Sequence, residues 1–301
     1  SNPPAPVTNG VGGVSGLKAV TEVAVAGPHL YSVSYGDEVE RGSIVAFTRD
    51  AATGELTFVN RLQDGTGGVD GLDGASALVV YDDNIYVVSQ SLTEGDNTLA
   101  VFQRNILTGA VSFLELHRQN QLGVSGLFGA SDVEVTSDGS HVYAVGRTPG
   151  SLAVFTRDGG NDGRLTFKES KIAGVGGIVG LQGAQGLALS SDDRHVYVTA
   201  AVDDAIAVFE RNTDGGDVAN FGRVTQIQVV DGIPGLDRAM EIAASSDASD
   251  TAGSRHFYVT GHTADSLLVF DRNVELASDD FGQLTLVQSF KDGIDGVDGL
   301  N

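Results

Sequence analysis

The chain contains no cysteine among its 301 residues. That absence excludes a disulfide framework, a thiolate metal site and a cysteine nucleophile. No run of 18 apolar residues occurs, so no helical segment long enough for a bilayer is present and membrane insertion is not expected. A charged-then-apolar leader is also missing. Basic residues are scarce, with 18 Lys and Arg against 40 Asp and Glu and a net charge of −22. Such a surface repels phosphate backbones, which excludes nucleic acid as a partner and disfavours anionic membranes. Of only six prolines, Pro3, Pro4 and Pro6 crowd into the first ten residues. Residues 1–16 therefore read as a Pro/Gly-rich leader or linker.

What the chain has is repetition. Hinge leucines Leu17, Leu72, Leu127, Leu181, Leu236 and Leu300 stand 55, 55, 54, 55 and 64 residues apart. Tyr31, Tyr86, Tyr143, Tyr197 and Tyr258 keep the same beat, as do Phe47, Phe102, Phe155, Phe209 and Phe270. A unit of four strands repeated at this interval is the signature of a β-propeller, whose blades cover their apolar faces only by stacking on one another. The expected fold is all-β, a closed five-bladed β-propeller with four antiparallel strands per blade. It occupies residues 17–301 in repeats of about 17–71, 72–126, 127–180, 181–235 and 236–301.

Alternation places the strands. In the second repeat they are expected at 75–81, 84–89, 98–104 and 110–116. The strands are separated by turn chemistry such as Asp82-Asp83-Asn84 and Thr108-Gly109. Glycine-rich linkers precede each first strand, where φ > 0 and close approach are needed. Chain direction sorts the loops onto two faces. The linker side collects Asp37, Glu38, Asp64, Asp70, Asp73, Glu94, Asp96, Asp203, Asp204, Asp237, Asp265, Asp292, Asp295 and Asp298 among others, and the opposite side receives Arg49, Arg104, Arg157, Arg211 and Arg272.

Positions that break the repeat are the functional candidates. Five residues beyond the hinge leucines stand Glu22, Ala77, Asp132, Gly186 and Glu241. Glu22, Asp132 and Glu241 are thus expected to aim carboxylates at one level of the central channel, with Glu134 two residues deeper. Oxygen ligands of that kind suit Ca²⁺ or Mg²⁺; solvated acids are the competing reading. Arg238 replaces Gly74, Gly129 and Gly183, and His262 stands where other repeats have Tyr35, Gln90, Arg147 and Ala201. Arg147, Arg238, His262 and Glu134 form the expected ligand-binding group, the alternative being that the arginines only neutralise an acidic rim. His29, His141, His195 and His256, each two residues before a repeat tyrosine, read as packing or turn-bonding groups. No G-x-S-x-G elbow, P-loop or dinucleotide fingerprint occurs.

Segments 137–146 (SDGSHVYAVG), 191–200 (SDDRHVYVTA), 98–113 (TLAVFQRNILTGAVSF) and 43–58 (SIVAFTRDAATGELTF) resemble the blade repeats of the lactonase-type, YVTN-like β-propellers. The resemblance extends over all five repeats and implies the fold. Its matching residues are blade-packing and turn positions and carry no catalytic signature. Lacking a nucleophile, the chain is expected to be a non-catalytic binding module for a protein or carbohydrate ligand. It would be a monomeric domain within a larger secreted or surface protein, extracellular or on a bacterial cell surface. The alternative that the resemblance implies is a metal-assisted lactonase-type hydrolase.

Overall fold

The computed structural model describes residues 7–10, 13–37, 39–90, 97–245, 255–294 and 296–300. Pro3, Pro4 and Pro6 of the expected leader and the linker acids Glu38, Glu94, Asp96 and Asp295 lie outside the described residues. Twenty strands and no helix are found among the described residues. They form five four-stranded sheets in which each strand pairs with its sequence neighbour, so the fold is a five-bladed β-propeller.

Blade 1 consists of β1 (Val20–Ala26), β2 (His29–Gly36), β3 (Arg41–Arg49) and β4 (Leu56–Gln63). Blade 2 is β5 (Ala75–Tyr81), β6 (Asn84–Ser89), β7 (Thr98–Arg104) and β8 (Val111–Arg118). Blade 3 is β9 (Ala130–Val135), β10 (His141–Gly146), β11 (Ser151–Asp158) and β12 (Arg164–Ile172). Blade 4 is β13 (Ala184–Leu189), β14 (His195–Ala200), β15 (Ala205–Arg211) and β16 (Val224–Val230). Blade 5 is β17 (Ala239–Ala244), β18 (His256–Gly261), β19 (Ser266–Arg272) and β20 (Leu284–Lys291). In the second repeat only the fourth strand differs from expectation. Ala110 stays in the turn that Asn105 closes by accepting from the Leu107 and Thr108 amides, and Arg118 still pairs with Thr98.

The chain divides into two compact units, Ser1–Val133 with Asp158–Arg164, and Glu134–Arg157 with Leu165–Asn301. In the first, Tyr31, Val33, Ile44 and Ala46 of blade 1 close against Leu72, Leu78, Ile85, Val87, Ala100 and Phe102 of blade 2. In the second, Tyr143, Val145, Leu152 and Val154 meet Leu187, Val198, Ala207 and Phe209. Tyr197, Ile206 and Val208 then meet Ile242, Phe257, Val259 and Phe270. The repeat phenylalanines Phe102, Phe155 and Phe209 are fully buried, as their periodicity requires.

A polar clamp recurs between successive blades. Tyr86, Tyr143 and Tyr197 donate to the carbonyls of Gly163, Gly222 and Gly282, at 2.9, 2.7 and 2.8 Å. Arg211 donates to the Tyr143 hydroxyl and His141 Nδ1, both at 3.0 Å. Arg272 donates to His195 Nδ1 at 2.9 Å and pairs with Asp192 at 2.8 Å. Both guanidinium groups are buried, a placement tolerable only because these partners and the Phe221 and Phe281 rings replace water. Because each Nδ1 accepts, His141 and His195 are neutral with the proton on Nε2. Burial, reinforced by the adjacent arginine, lowers both to about 4.

Linker acids serve the backbone. The amide of a hinge leucine is held by a side chain eight residues earlier: Leu17 by Asn9, Leu72 by Asp64, Leu127 by Gln119 and Leu300 by Asp292. Asp64 and Asp292, each of which opens an Asp-Gly run, are thereby turn anchors, in keeping with aspartate's role at turns.

Candidate functional site

The candidate acids sit on a shared irregularity. The first strand of a blade loses register with the second between Val20 and Glu22, Ala75 and Ala77, Ala184 and Leu187, and Ala239 and Ile242. A bulge re-aims one side chain and frees its amide from the ladder. Glu22, Ala77, Gly186 and Glu241 fall within these steps. The freed amides find substitutes: Gly186 and Glu241 donate to the Thr199 and Thr260 hydroxyls, at 2.8 and 3.1 Å.

In the first unit, Glu22 Oε2 accepts from the Leu78 amide at 2.7 Å, tying blade 1 to β5 of blade 2. Asp132 Oδ1 accepts from the Val133 amide at 2.8 Å. Both carboxylates are therefore engaged by backbone. Among the described residues no group of three His, Cys, Asp or Glu side chains could hold a metal ion. Of the expected Ca²⁺ or Mg²⁺ set, Glu22 and Asp132 belong to the first unit and Glu241 to the second.

The second unit holds the rest. Arg238, Glu241 and His262 lie at one end of the β17–β18 pair, where Ala239 pairs with Gly261. Arg238 has φ +55°, the left-handed region its glycine counterparts adopt freely and other residues enter at a cost of about 1–2 kcal/mol. Two bonds hold it there: its amide donates to Asp204 Oδ1 at 2.6 Å, and its carbonyl accepts from the His262 amide at 3.1 Å. The side chains of Arg238 and His262 are exposed. Strain kept in an exposed cation beside an acid marks a place to look for function.

Glu241 is exposed to solvent, yet protein crowds its carboxyl. Burial pushes its carboxyl above the ordinary glutamate value, and the positive charge of Arg147 partly offsets the shift. Arg147 stands in the loop after β10, so a charge from blade 3 acts on an acid of blade 5. Glu134 lies apart from this group, at the other end of the first strands. It lines a 390 Å³ cavity with Ser137, Ser190, Asp193 and Ile242. There Asp193 accepts from the Ser137 amide and hydroxyl, at 3.0 and 2.6 Å.

Two features escaped sequence reasoning. One is the action of the Arg147 charge on Glu241, whose only sequence signal is that both break the repeat. The other is the burial of Arg211 and Arg272, which a shared spacing from the repeat phenylalanines signals but which the sequence reading took only as far as the face opposite the linkers.

Residues 81–226 match the family model described as Lactonase, 7-bladed beta-propeller. The lactonase-type propeller repeat is thereby shown over that span. No curated protein matches the chain. Among solved structures, a functionally unknown protein from Desulfotomaculum acetoxidans superposes with a TM-score of 0.65 at 14% identity, over 93% of this chain and 72% of that one. A protein from Lactobacillus plantarum gives 0.59 at 19% identity, covering 90% and 84%. The periplasmic gluconolactonase of Pseudomonas aeruginosa gives 0.54 at 17%, covering 92% and 86%. At such identities these structures speak for the fold alone. The family match corrects one expectation: a non-catalytic binding module has no support, and the alternative, a lactonase-like hydrolase, has it.

Proposed function

We propose that the chain, whose central repeats are those of the lactonase-type propellers, is a lactonase-like hydrolase with Glu241 as general base and Arg147 beside it. The family match over residues 81–226 carries this reading. That span includes Arg147, and the chemistry at Glu241 is consistent with it. A carboxylate raised by burial is a better base for water than an ordinary one.

Lactone opening needs a proton acceptor, a stabiliser for the oxyanion and a proton for the departing ring oxygen. Glu241 takes a proton from water as its oxygen adds to the ester carbonyl carbon, and the carbonyl electron pair moves onto oxygen. Arg147 stabilises that oxyanion. Collapse breaks the ring C–O bond, and the proton held by Glu241 passes to the ring oxygen, leaving an open hydroxy acid and the original carboxylate. Arg238 and His262 flank the acid as anchors for the lactone's hydroxyl groups. A net charge of −22 favours a neutral sugar lactone over a phosphorylated one.

The test is proton release from gluconolactone followed at constant pH. Wild-type protein should accelerate opening, and Glu241→Gln should lower kcat by about 10²–10⁴-fold while leaving the melting temperature unchanged. A wild-type rate equal to that of Glu241→Gln on both sugar and simple aliphatic lactones would discard the reading.

A further inference from the structure

Each repeat carries one hydroxyl residue at a fixed pair of positions beside the bulge. In blades 1, 2 and 3 it lies on the first strand, four residues after the hinge leucine, as Thr21, Ser76 and Ser131. The second strand then has valine two residues after the repeat tyrosine: Val33, Val88 and Val145. Blades 4 and 5 reverse the pair. Gln185 and Met240 stand at the first position, Thr199 and Thr260 at the second. Valine and threonine share a shape and differ by one hydroxyl, so packing does not account for the exchange. What changes is the group that the hydroxyl reaches.

Thr21 and Ser76 donate to the carbonyls of Ala75 and Ala130 in the next blade, at 2.9 and 2.7 Å. Both acceptors stand three residues after a hinge leucine. Thr199, fully buried, donates instead to the carbonyl of Met240, four residues after Leu236. That carbonyl and the Glu241 amide belong to one peptide unit, and the amide donates to the Thr260 hydroxyl at 3.1 Å. The peptide before Glu241 is thus held at both ends, once from blade 4 and once from its own blade. Gly186 makes room for this contact. It occupies the offset at which Glu22, Asp132 and Glu241 stand in other blades, and its amide donates to Thr199 at 2.8 Å. A Cβ there would lie 2.6 Å from the Met240 carbonyl oxygen and 3.2 Å from Glu241 Cα. Its backbone is not left-handed, so close approach is what demands glycine.

We propose, on the reading of Glu241 as general base, that Thr199 and Thr260 are its positioning residues, their hydroxyls fixing the peptide from which its side chain leaves the strand. The bulge is what makes such a device necessary, because a residue released from the ladder has no paired partner to set its direction. Glu241 is exposed, yet both protein and the Arg147 charge act on its carboxyl. A small rotation of the peptide exchanges those surroundings for water. Positioning of this kind is worth up to about 10²-fold in rate without any contact to substrate.

Thr199→Val and Thr260→Val test this, each installing the residue that blades 1, 2 and 3 carry. Carbon-detected NMR of the Glu241 carboxyl, assigned against Glu241→Gln, reads its surroundings without turnover. A carboxyl released into water returns toward the ordinary glutamate value, so its midpoint should fall in both variants. On gluconolactone kcat should drop by up to about 10²-fold with KM little changed. Thr199→Ser keeps the hydroxyl and should restore both readouts. Ser76→Ala, which removes the corresponding bond between blades 2 and 3, should lower the melting temperature and leave the Glu241 midpoint in place. Thr260 is exposed, so Thr260→Val decides the matter if Thr199→Val does not fold. A Glu241 midpoint that stays in place in the folded valine variants overturns the proposal, as does Thr199→Ser behaving like Thr199→Val. Should wild-type protein open no lactone, the assignment of the base falls by itself, and the midpoint still decides whether the threonines position the acid.

Discussion

Tyr197 donates its hydroxyl proton to the carbonyl of Gly282 at 2.8 Å, joining residues 85 positions apart and two successive blades. The glycine is required twice over: its φ is +85°, and the edge of His195 occupies the space a side chain would need. Gly54 shares the backbone conformation but has an open cradle. Gly54→Ala should therefore cost only the left-handed penalty of about 1–2 kcal/mol. Gly282→Ala must also displace a buried imidazole and its arginine, so its loss should be clearly larger. Urea titrations of the two variants measure the difference, and equal midpoints would mean the clamp contributes nothing.

The clamp makes stability depend on pH. His141 and His195 have folded values of about 4 against 6.5 when unfolded. Between those values the unfolded chain binds protons that the native state refuses. Stability is therefore complete above about 6.5 and falls as pH drops toward 4, by up to about 3 kcal/mol per histidine. Asn84 stands at the corresponding position of blade 2 and bonds the Asp162 carbonyl at 2.7 Å. His195→Asn should accordingly flatten the melting temperature's dependence on pH between 4 and 6.5 more than it lowers the value at pH 8. An unchanged slope would assign the acid sensitivity to other groups.

The repeat made the blades legible. Tyrosine and phenylalanine recur because both faces of an interior blade are covered, and spans such as 75–81, 84–89 and 98–104 match the strands found. The clamp was hidden for a geometric reason. Arg211 and His141 lie 70 residues apart, and their meeting depends on how one blade is offset against the next, which no single repeat records. The bulge was hidden likewise. A common offset from the hinge leucines selected Glu22 and Glu241, but not that the Glu22 carboxylate would accept from the Leu78 amide of the next blade. Arg147 and Arg238 stood out because they break the pattern, and the positive φ of Arg238 gives that break a physical cost.

Arg238→Gly restores the residue found in blades 2, 3 and 4. Relief of left-handed strain exceeds the extra entropy that glycine brings to the unfolded chain, so the variant should be more stable by about 0.5–1 kcal/mol. Its amide and carbonyl keep their bonds to Asp204 and His262. If the cation serves as a lactone anchor, KM should rise while kcat changes little. A more stable variant with unaltered KM would leave Arg238 no part in substrate binding.

Glu241 acts as base only when ionised, so kcat/KM should rise with pH through an inflection above the ordinary glutamate value. The direction of a second shift follows from the same electrostatics. Arg147 favours the charged carboxylate, so Arg147→Met should move the inflection to still higher pH while weakening oxyanion stabilisation. At a pH where both proteins are fully deprotonated, the variant keeps a lower plateau. Below that pH its deficit grows. Carbon-detected NMR titration of the Glu241 carboxyl gives the same shift without relying on turnover, and it distinguishes loss of charge from loss of positioning. An inflection that stays in place, or moves to lower pH, in Arg147→Met would show that the two side chains do not share a field and would remove Arg147 from the site.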